Sequence, residues 1–376
     1  MKNLYLAIFL FLSVFFCNMQ YTVAQLTETI NQASTQSDPT TTSPVSYTVV
    51  FNQPIVASTF VASDILLSGT AAGEAISSIT QIAPNDNTTF QINVTATGTG
   101  TVIASIPAVS SYTSAIFSTA VNFPKGIAID GSGNIYTANE GNNTVTKITP
   151  SGVSSIFGTT GNIPESIVVD GSGNIYTANR SDNTVTKITP GGVSTIFGTT
   201  GSNPESIAID GSGNIYTANQ SDNTVTKITP GGVSTIFGTT GSYPTAIAID
   251  SSGNIYTANT GDDTVTKITP GGVVSTIFGT PGSGPSAIVI DGSGNIYIAN
   301  AGDNTVTKIA PGGVSTIFGT TGSYPTAIAI DGSGNIYTAN LFGNNVTRIT
   351  PAGVSTILGA TSTFPYGIGV DGSGNI

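Results

Sequence analysis

Hydrophobic and polar positions divide the chain into regimes with different periods. Residues 4–16, LYLAIFLFLSVFF, form an apolar run broken only by Ser13. Residues 25–44 are rich in Thr, Ser, Gln and Pro and read as a leader or an edge segment. From Val45 onward apolar and polar residues alternate, as in Tyr47-Thr48-Val49-Val50-Phe51, Phe90-Gln91-Ile92-Asn93-Val94 and Thr101–Ile106. Period-two alternation between turn clusters such as Pro84-Asn85-Asp86-Asn87 predicts half-buried strands. Beyond residue 113 four short β-branched runs recur in order, PESIAIDGSG, NIYTANQSDN, TVTKITPGG and VSTIFGTTGSY. Each is closed by Gly, Asn, Asp or Pro, and none has the 3.6-residue period of a helix. The chain is therefore predicted to be all-β.

The recurrence fixes an architecture. The block Ile-Asp-Gly-Ser-Gly-Asn-Ile-Tyr, with small variations, places Asp at 130, 170, 210, 250, 291, 331 and 371. Four strands in each unit of about 40 residues describe a propeller blade. The expectation is a β-propeller over residues 113–376, with six complete four-stranded blades and a partial seventh, preceded by a β-sandwich over 45–112. Ser114–Thr119 matches the outer strand VSTIFGTT and stands alone at the front of the array. The array stops at Ile376, inside the second strand of the seventh unit. The expectation is a propeller of seven or more blades truncated at its C-terminus, with unpaired edges around Tyr366–Ile376.

Composition then narrows the chemistry. Lys2, the thirteen-residue apolar run and the small residues before Ala24 make residues 1–24 a signal peptide, since a bilayer span needs about 20 apolar residues. The expected location is secreted or cell-surface, with no membrane insertion after cleavage. Only 8% of residues are charged, with 20 acids against 9 bases, and there is no His or Trp. Cleavage would remove Lys2, Cys17 and both methionines, Met1 and Met19, and take the net charge from −11 to −12. A Ser-His-Asp triad, a His zinc site, a disulfide and a thiol nucleophile are thereby excluded from residues 25–376. The acidic balance argues against nucleic acid as a partner.

Two stretches carry resemblances. SPVSYTVVFNQPIV, FVASDILLSGTA and GTGTVIASIPA resemble the Ig-like modules of bacterial surface proteins and adhesins, which implies a spacer. GIAIDGSGNIYTANEGNNTVTKITPSG resembles an NHL repeat, with relatives among lactonase-like and streptogramin-lyase-like propellers. That resemblance implies the propeller fold, which hosts many functions.

Blade topology sorts the candidate sites. The turns built from DGSGN and TPGG share one face and hardly change from copy to copy. The hairpins between second and third strands and the inter-blade connections share the other, and carry nearly all the variation. In related propellers this variable face usually binds ligands. Tyr324, Phe342, Phe364 and Tyr366 fall in adjacent blades there, and ring closure would bring Phe123 and Lys125 beside them. These six are the candidate ligand-binding residues, for an extracellular glycan or protein. The competing reading packs each aromatic that precedes Pro into the inter-blade corner. The repeated Asp is read as a turn cap rather than a metal ligand, and the repeated Asn of the second strand as a local hairpin residue. One base per third strand (Lys147, Lys187, Lys227, Lys267, Lys308, Arg348) is read as a stem along the blade, its charge in water or paired to an Asp.

The functional expectation is an exported, non-catalytic binding protein that presents a propeller on an Ig-like spacer, with no catalytic residue, cofactor or metal. The alternative is a streptogramin-lyase-like or lactonase-like enzyme. The lyase type would lose its His-dependent chemistry here. The lactonase type needs a central ligand set supplied unequally by different blades, whereas these blades read as nearly identical around the channel. Glu140, Glu165 and Glu205 break that uniformity, and are read as loop residues of neighbouring blades.

Overall fold

A computed structural model describes residues 28–32, 44–51, 62, 65–82, 88–97, 101–105, 121–361, 363–372 and 374–376. The expected signal peptide and the expected orphan strand Ser114–Thr119 lie outside the described residues. The chain divides into two units, Met1–Ala115 and Ile116–Ile376.

In the first unit β1 (Glu28–Gln32), β2 (Val45–Phe51), β3 (Leu66–Gly69), β4 (Ala75–Gln81), β5 (Thr89–Thr95) and β6 (Val102–Ser105) form two antiparallel sheets. Their orders are β1-β2-β5-β4 and β3-β6. Alternation works as the sequence implies, with Phe90, Ile92 and Val94 buried and the residues between them half-buried. Both sheets contribute to one core, in which Val49 and Ile92 meet Ala104. The Tyr47 hydroxyl crosses between the sheets and donates to the Val102 carbonyl at 2.5 Å. The segment read as leader or edge holds a strand, because β1 pairs with β2 from Glu28↔Phe51 to Gln32↔Tyr47. The sheet thus begins ahead of Val45.

In the second unit six antiparallel four-stranded sheets follow one another. Blade one comprises β7 (Pro124–Ile129), β8 (Ile135–Asn139), β9 (Thr144–Ile148) and β10 (Ser154–Thr159). The inner strands of the next five blades are Pro164–Val169, Pro204–Ile209, Pro244–Ile249, Pro285–Ile290 and Pro325–Ile330. Each inner strand lies against that of the next blade, and so the six surround a common axis. The layers between blades are apolar. Tyr136, Ala138 and Val145 of blade one pack with Ile167, Ile175 and Ile188 of blade two, and equivalent sets recur between later blades. A fully buried Ile of this kind contributes about 2 kcal/mol. A bulge in the third-to-outer strand pairing leaves Phe197 outside the register. Its ring meets Tyr176 edge-on at 5.1 Å.

The turns behave as read. Asp130 Oδ1 accepts the N–H groups of Ser132 and Asn134, and Oδ2 accepts Asn134 Nδ2 and the Tyr136 hydroxyl. Burial works against the Asp130 charge, yet these bonds hold its carboxyl below the usual range. Desolvation and the same Asp push the Tyr136 phenol up to about 12. The repeated Asn is wholly buried, and Asn179 Nδ2 donates to Thr184 and Thr186. The repeated Lys is half-exposed, in keeping with a stem along the blade, but its charge lies over rings. Lys187 Nζ sits 5.5 Å from the Tyr176 centroid and 5.6 Å from that of Phe197, so its partner is an aromatic pair instead of an Asp.

Residues 365–370 form no strand, but they occupy the inner position of a seventh unit. Thr326 Oγ1 donates to the Pro365 carbonyl at 3.0 Å, as Thr245 does to Pro285 and Ser286 to Pro325. On the other side Gly367 approaches blade one so closely that an added Cβ would lie 3.1 Å from the Lys125 carbonyl oxygen. Pro365 and Gly367 thus lie between blades six and one, while the segment expected to present unpaired edges forms no strand, and Gly372, Gly374, Asn375 and Ile376 are exposed.

Candidate functional site

The variable end of the propeller is built on one local device repeated in every blade. In blade two Pro164 pairs with Asn179 and Ser166 with Ala178, leaving Glu165 as the extra residue of a β-bulge. A bulge re-aims its side chain away from the regular ladder. The same register shift places Lys125, Glu205, Thr245, Ser286 and Thr326 at the bulge of their blades. Tyr366 follows Pro365 in the equivalent place of the seventh unit. One residue per unit therefore rings the axis at this end.

The residue ahead of each Pro has a left-handed backbone. Phe123 has φ 48°, Ile163 55°, Asn203 55°, Tyr243 53°, Gly284 64°, Tyr324 59° and Phe364 59°. Gly and Asn tolerate this region, whereas a bulky or β-branched residue is disfavoured there by roughly 1–2 kcal/mol. An Asx side chain of the preceding blade fastens the conformation. Asn143 Oδ1 accepts the Ile163 N–H at 3.0 Å, and Asn223, Asn304 and Asn344 do the same for Tyr243, Tyr324 and Phe364.

The rings at these strained positions lie at the surface. Phe123 is 75% exposed, Phe364 and Tyr243 are each more than half exposed, and so is Phe342 of the neighbouring hairpin, whose backbone is not left-handed. This overturns the inter-blade-corner reading for these side chains. Tyr324 and Phe342 lie 4.8 Å apart, and Phe342 meets Phe364 edge-on at 6.4 Å. Lys125 Nζ stands 4.1 Å above the Tyr366 ring. Five of the six sequence candidates thus fall into two contact groups, Tyr324–Phe342–Phe364 and Lys125–Tyr366. Phe123 stands against its own hairpin, where a Cβ on Gly141 would lie 2.9 Å from its ring.

Sequence reasoning placed Lys125, Glu140, Glu165, Arg180 and Glu205 at this variable end but missed that they form one cluster. Glu165 and Glu205 belong to inner strands, not loops, and Arg180 joins them. Its Nε lies 2.8 Å from Glu205 Oε1 and its guanidinium 3.6 Å from Glu165 Oε1. Lys125 and Glu140 pair at 3.5 Å alongside. The Glu165 and Glu205 side chains are only 12% and 16% exposed. Burial pushes the Glu205 carboxyl up to about 7; the charge of Glu165 adds to the push, while Arg180 and Lys125 pull the other way. Burial raises Glu165 as well, against the pull of Lys125 and Arg180. The expectation that the blades are nearly alike around the channel is therefore corrected. Blades one to three carry charges at the bulge, blades four to six carry hydroxyls, and the seventh position carries a phenol. The available signal was the residue after each Pro, read around the ring as Lys, Glu, Glu, Thr, Ser, Thr, Tyr.

Among the described residues no group of three or more His, Cys, Asp or Glu side chains is placed to hold a metal ion. What the arrangement offers is a rim with ionic, hydroxyl and aromatic sectors.

A family model described as the Virginiamycin B lyase family matches residues 110–376. The structure of virginiamycin B lyase from Staphylococcus aureus is similar at a TM-score of 0.59 and 18% identity, over 66% of this chain and 89% of the lyase. A catalytically inactive His-to-Ala variant of that lyase with Quinupristin is similar at 0.57 and 20% identity, over 65% and 84%. A chain of a nidogen/laminin complex shares the fold at 0.51 and 18% identity, over 60% and 94%. No curated protein sequence is significantly similar to the chain.

Proposed function

We propose that this chain, which belongs to the virginiamycin B lyase family, binds a ligand at the variable end of its propeller and does so as a non-catalytic module. One observation carries this reading: large aromatic side chains are held exposed on a left-handed backbone that Gly or Asn would adopt at lower cost. Exposed rings kept at an energetic cost next to hydroxyl and charged groups suit a ligand with an apolar face and polar edges, such as a glycan. The apolar run Leu4–Phe16 supports export, and the two-sheet first unit supports a spacer of Ig-like type. The name of the family supports a lyase, and a His-to-Ala variant of one relative is catalytically inactive. This chain has no His, so no residue of it supplies an imidazole.

A glycan array probed with the full chain tests the proposal. Binding should appear for a restricted set of sugars and be lost in the Phe364→Ala, Tyr366→Ala double variant. An array without a hit, or a hit indifferent to both substitutions, sinks it.

A second reading has its own observation. Glu205 is a buried carboxyl poised near neutral pH at the rim, as a general base would need to be. Turnover of a streptogramin B substrate by the wild type, abolished in Glu205→Gln, would establish that enzyme reading in place of the first.

A further inference from the structure

Two mostly buried carboxylates from neighbouring blades share one guanidinium at the rim. The other nearby cation, Lys125, is already engaged by Glu140 and by the Tyr366 ring. The surroundings of Glu205 give no further compensation. The hairpin of its own blade contributes neutral Gln220, and the Asp222 carboxylate of that hairpin accepts the Ser202 N–H. The next blade contributes neutral Thr245 and Thr260. Three carboxylates thus face two cations in a half-buried cluster. Like charges in such surroundings resist simultaneous ionisation.

The other half of the ring shows what this position does when it carries a proton. Thr245, Ser286 and Thr326 each donate a hydroxyl hydrogen to the carbonyl of the following blade's first Pro, at 3.0, 2.7 and 3.0 Å. In blades two and three a carboxylate occupies the same bulge. As an anion it has no hydrogen to donate, so it turns to Arg180. A protonated Glu205 would regain the donor, and the equivalent acceptor is the Pro244 carbonyl.

We propose that the Glu165–Arg180–Glu205 bridge is a proton-operated latch between the second and third blades. Uptake of one solvent proton by Glu205 converts its carboxylate to a carboxylic acid and ends the charge-assisted bond to Arg180. Arg180 is then left with Glu165 in its own blade. The net charge of the cluster rises from −1 to zero, and blade three gains the donor that its counterparts in blades four to six already have. The latch needs no ligand, so it stands or falls apart from the binding reading.

The experiment is a carboxyl carbon NMR titration of the full chain, which contains only five glutamates, together with the Arg180 Nε signal. One glutamate should titrate with a midpoint near 7, and its signal should vanish in Glu205→Gln. The midpoint should fall by about one pH unit or more in Glu165→Gln, where the like charge is gone. The protection of the Arg180 Nε proton, relative to a free guanidinium at the same pH, should fall about tenfold or more as Glu205 protonates, as expected on loss of a charge-assisted bond. A Glu205 midpoint below about 5 overturns the proposal, because the carboxyl would then behave as an ordinary one. So does Arg180 Nε protection that is unchanged across the titration, because the proton would then open nothing. Both decisive readings come from the wild type and require no variant to fold.

Discussion

Asn143 of the first blade holds Ile163 of the second: the Asn143 carbonyl oxygen accepts the Ile163 N–H at 3.0 Å, and both residues have a left-handed backbone. Their Asn and pre-Pro counterparts make this staple twenty residues apart in most blades, Asp taking the Asn place before Gly284. It ties the hairpin of one blade to the start of the next.

The staple and the backbone strain separate by substitution. Asn143→Gly keeps the left-handed backbone accessible and removes the two inter-blade bonds of the side chain, from the Ile163 N–H and to Asn162 Oδ1, at an expected cost of about 1–2 kcal/mol. Asn143→Ala should cost about 1 kcal/mol more, because an L side chain without local hydrogen bonding is disfavoured there. Urea unfolding of the two variants measures the difference, and equal midpoints would show that the side-chain bonds are the whole effect.

Ile163 is β-branched at φ 55°, the least suitable side-chain type in that region. Replacing it with Asn, the residue found at the equivalent position 203, should stabilise the protein by about 1 kcal/mol. A lower melting temperature would mean that Ile163 contributes more by packing than it loses to its backbone.

Glu205 makes stability fall as pH rises. Its folded-state value of about 7 exceeds the reference of 4.5, so the native state binds the proton more tightly than the unfolded chain. The resulting stability is fully present below about 4.5 and is lost as pH climbs through about 7. The loss is on the order of 3 kcal/mol. Glu205→Gln should flatten this slope and raise the melting temperature at pH 8 by several degrees relative to wild type. Thermal melts from pH 5 to 8 provide the check.

The turn aspartates act in the opposite sense. Asp130, Asp170, Asp210, Asp250, Asp291 and Asp331 are all held below the usual carboxylate value of 3.8 by their turn hydrogen bonds, despite burial. Their contribution is present above that value and is lost as pH falls through their lower folded-state values. Because the device is copied in each blade, acid unfolding should be steep and begin below about pH 4. Asp210→Asn, which keeps one acceptor and lacks the charge, should shift the acid midpoint upward in circular dichroism.

Lys187 lies over Tyr176 and Phe197. Lys187→Met preserves most of the stem and removes the cation, and is expected to cost about 0.5–1 kcal/mol. Lys187→Arg should cost less, since a guanidinium also stacks on rings. Equal stabilities of all three in urea would show that the lysine contributes only its apolar stem.

The sequence by itself determined the blades. Four β-branched runs in a unit of about 40 residues, each ended by residues that cap turns locally, leave little else for the chain to form. The Asp of DGSGN finds every partner within six residues, and so the turn was legible without coordinates. The aromatic candidates were legible because Tyr324, Phe342 and Phe364 stand at the positions that vary while the rest of the repeat is copied. Tertiary structure alone decided how the charged residues are assembled. Glu165 and Glu205 stand 40 residues apart in strands whose pattern gives no hint that the residue after Pro leaves the ladder. A bulge does that, and its unpaired residue is set by the register of two strands together, which no single run of sequence encodes. The proximity of Arg180 to both carboxylates, and the resulting hold on a proton near neutrality, follow from that geometry and from the burial that only neighbouring blades supply.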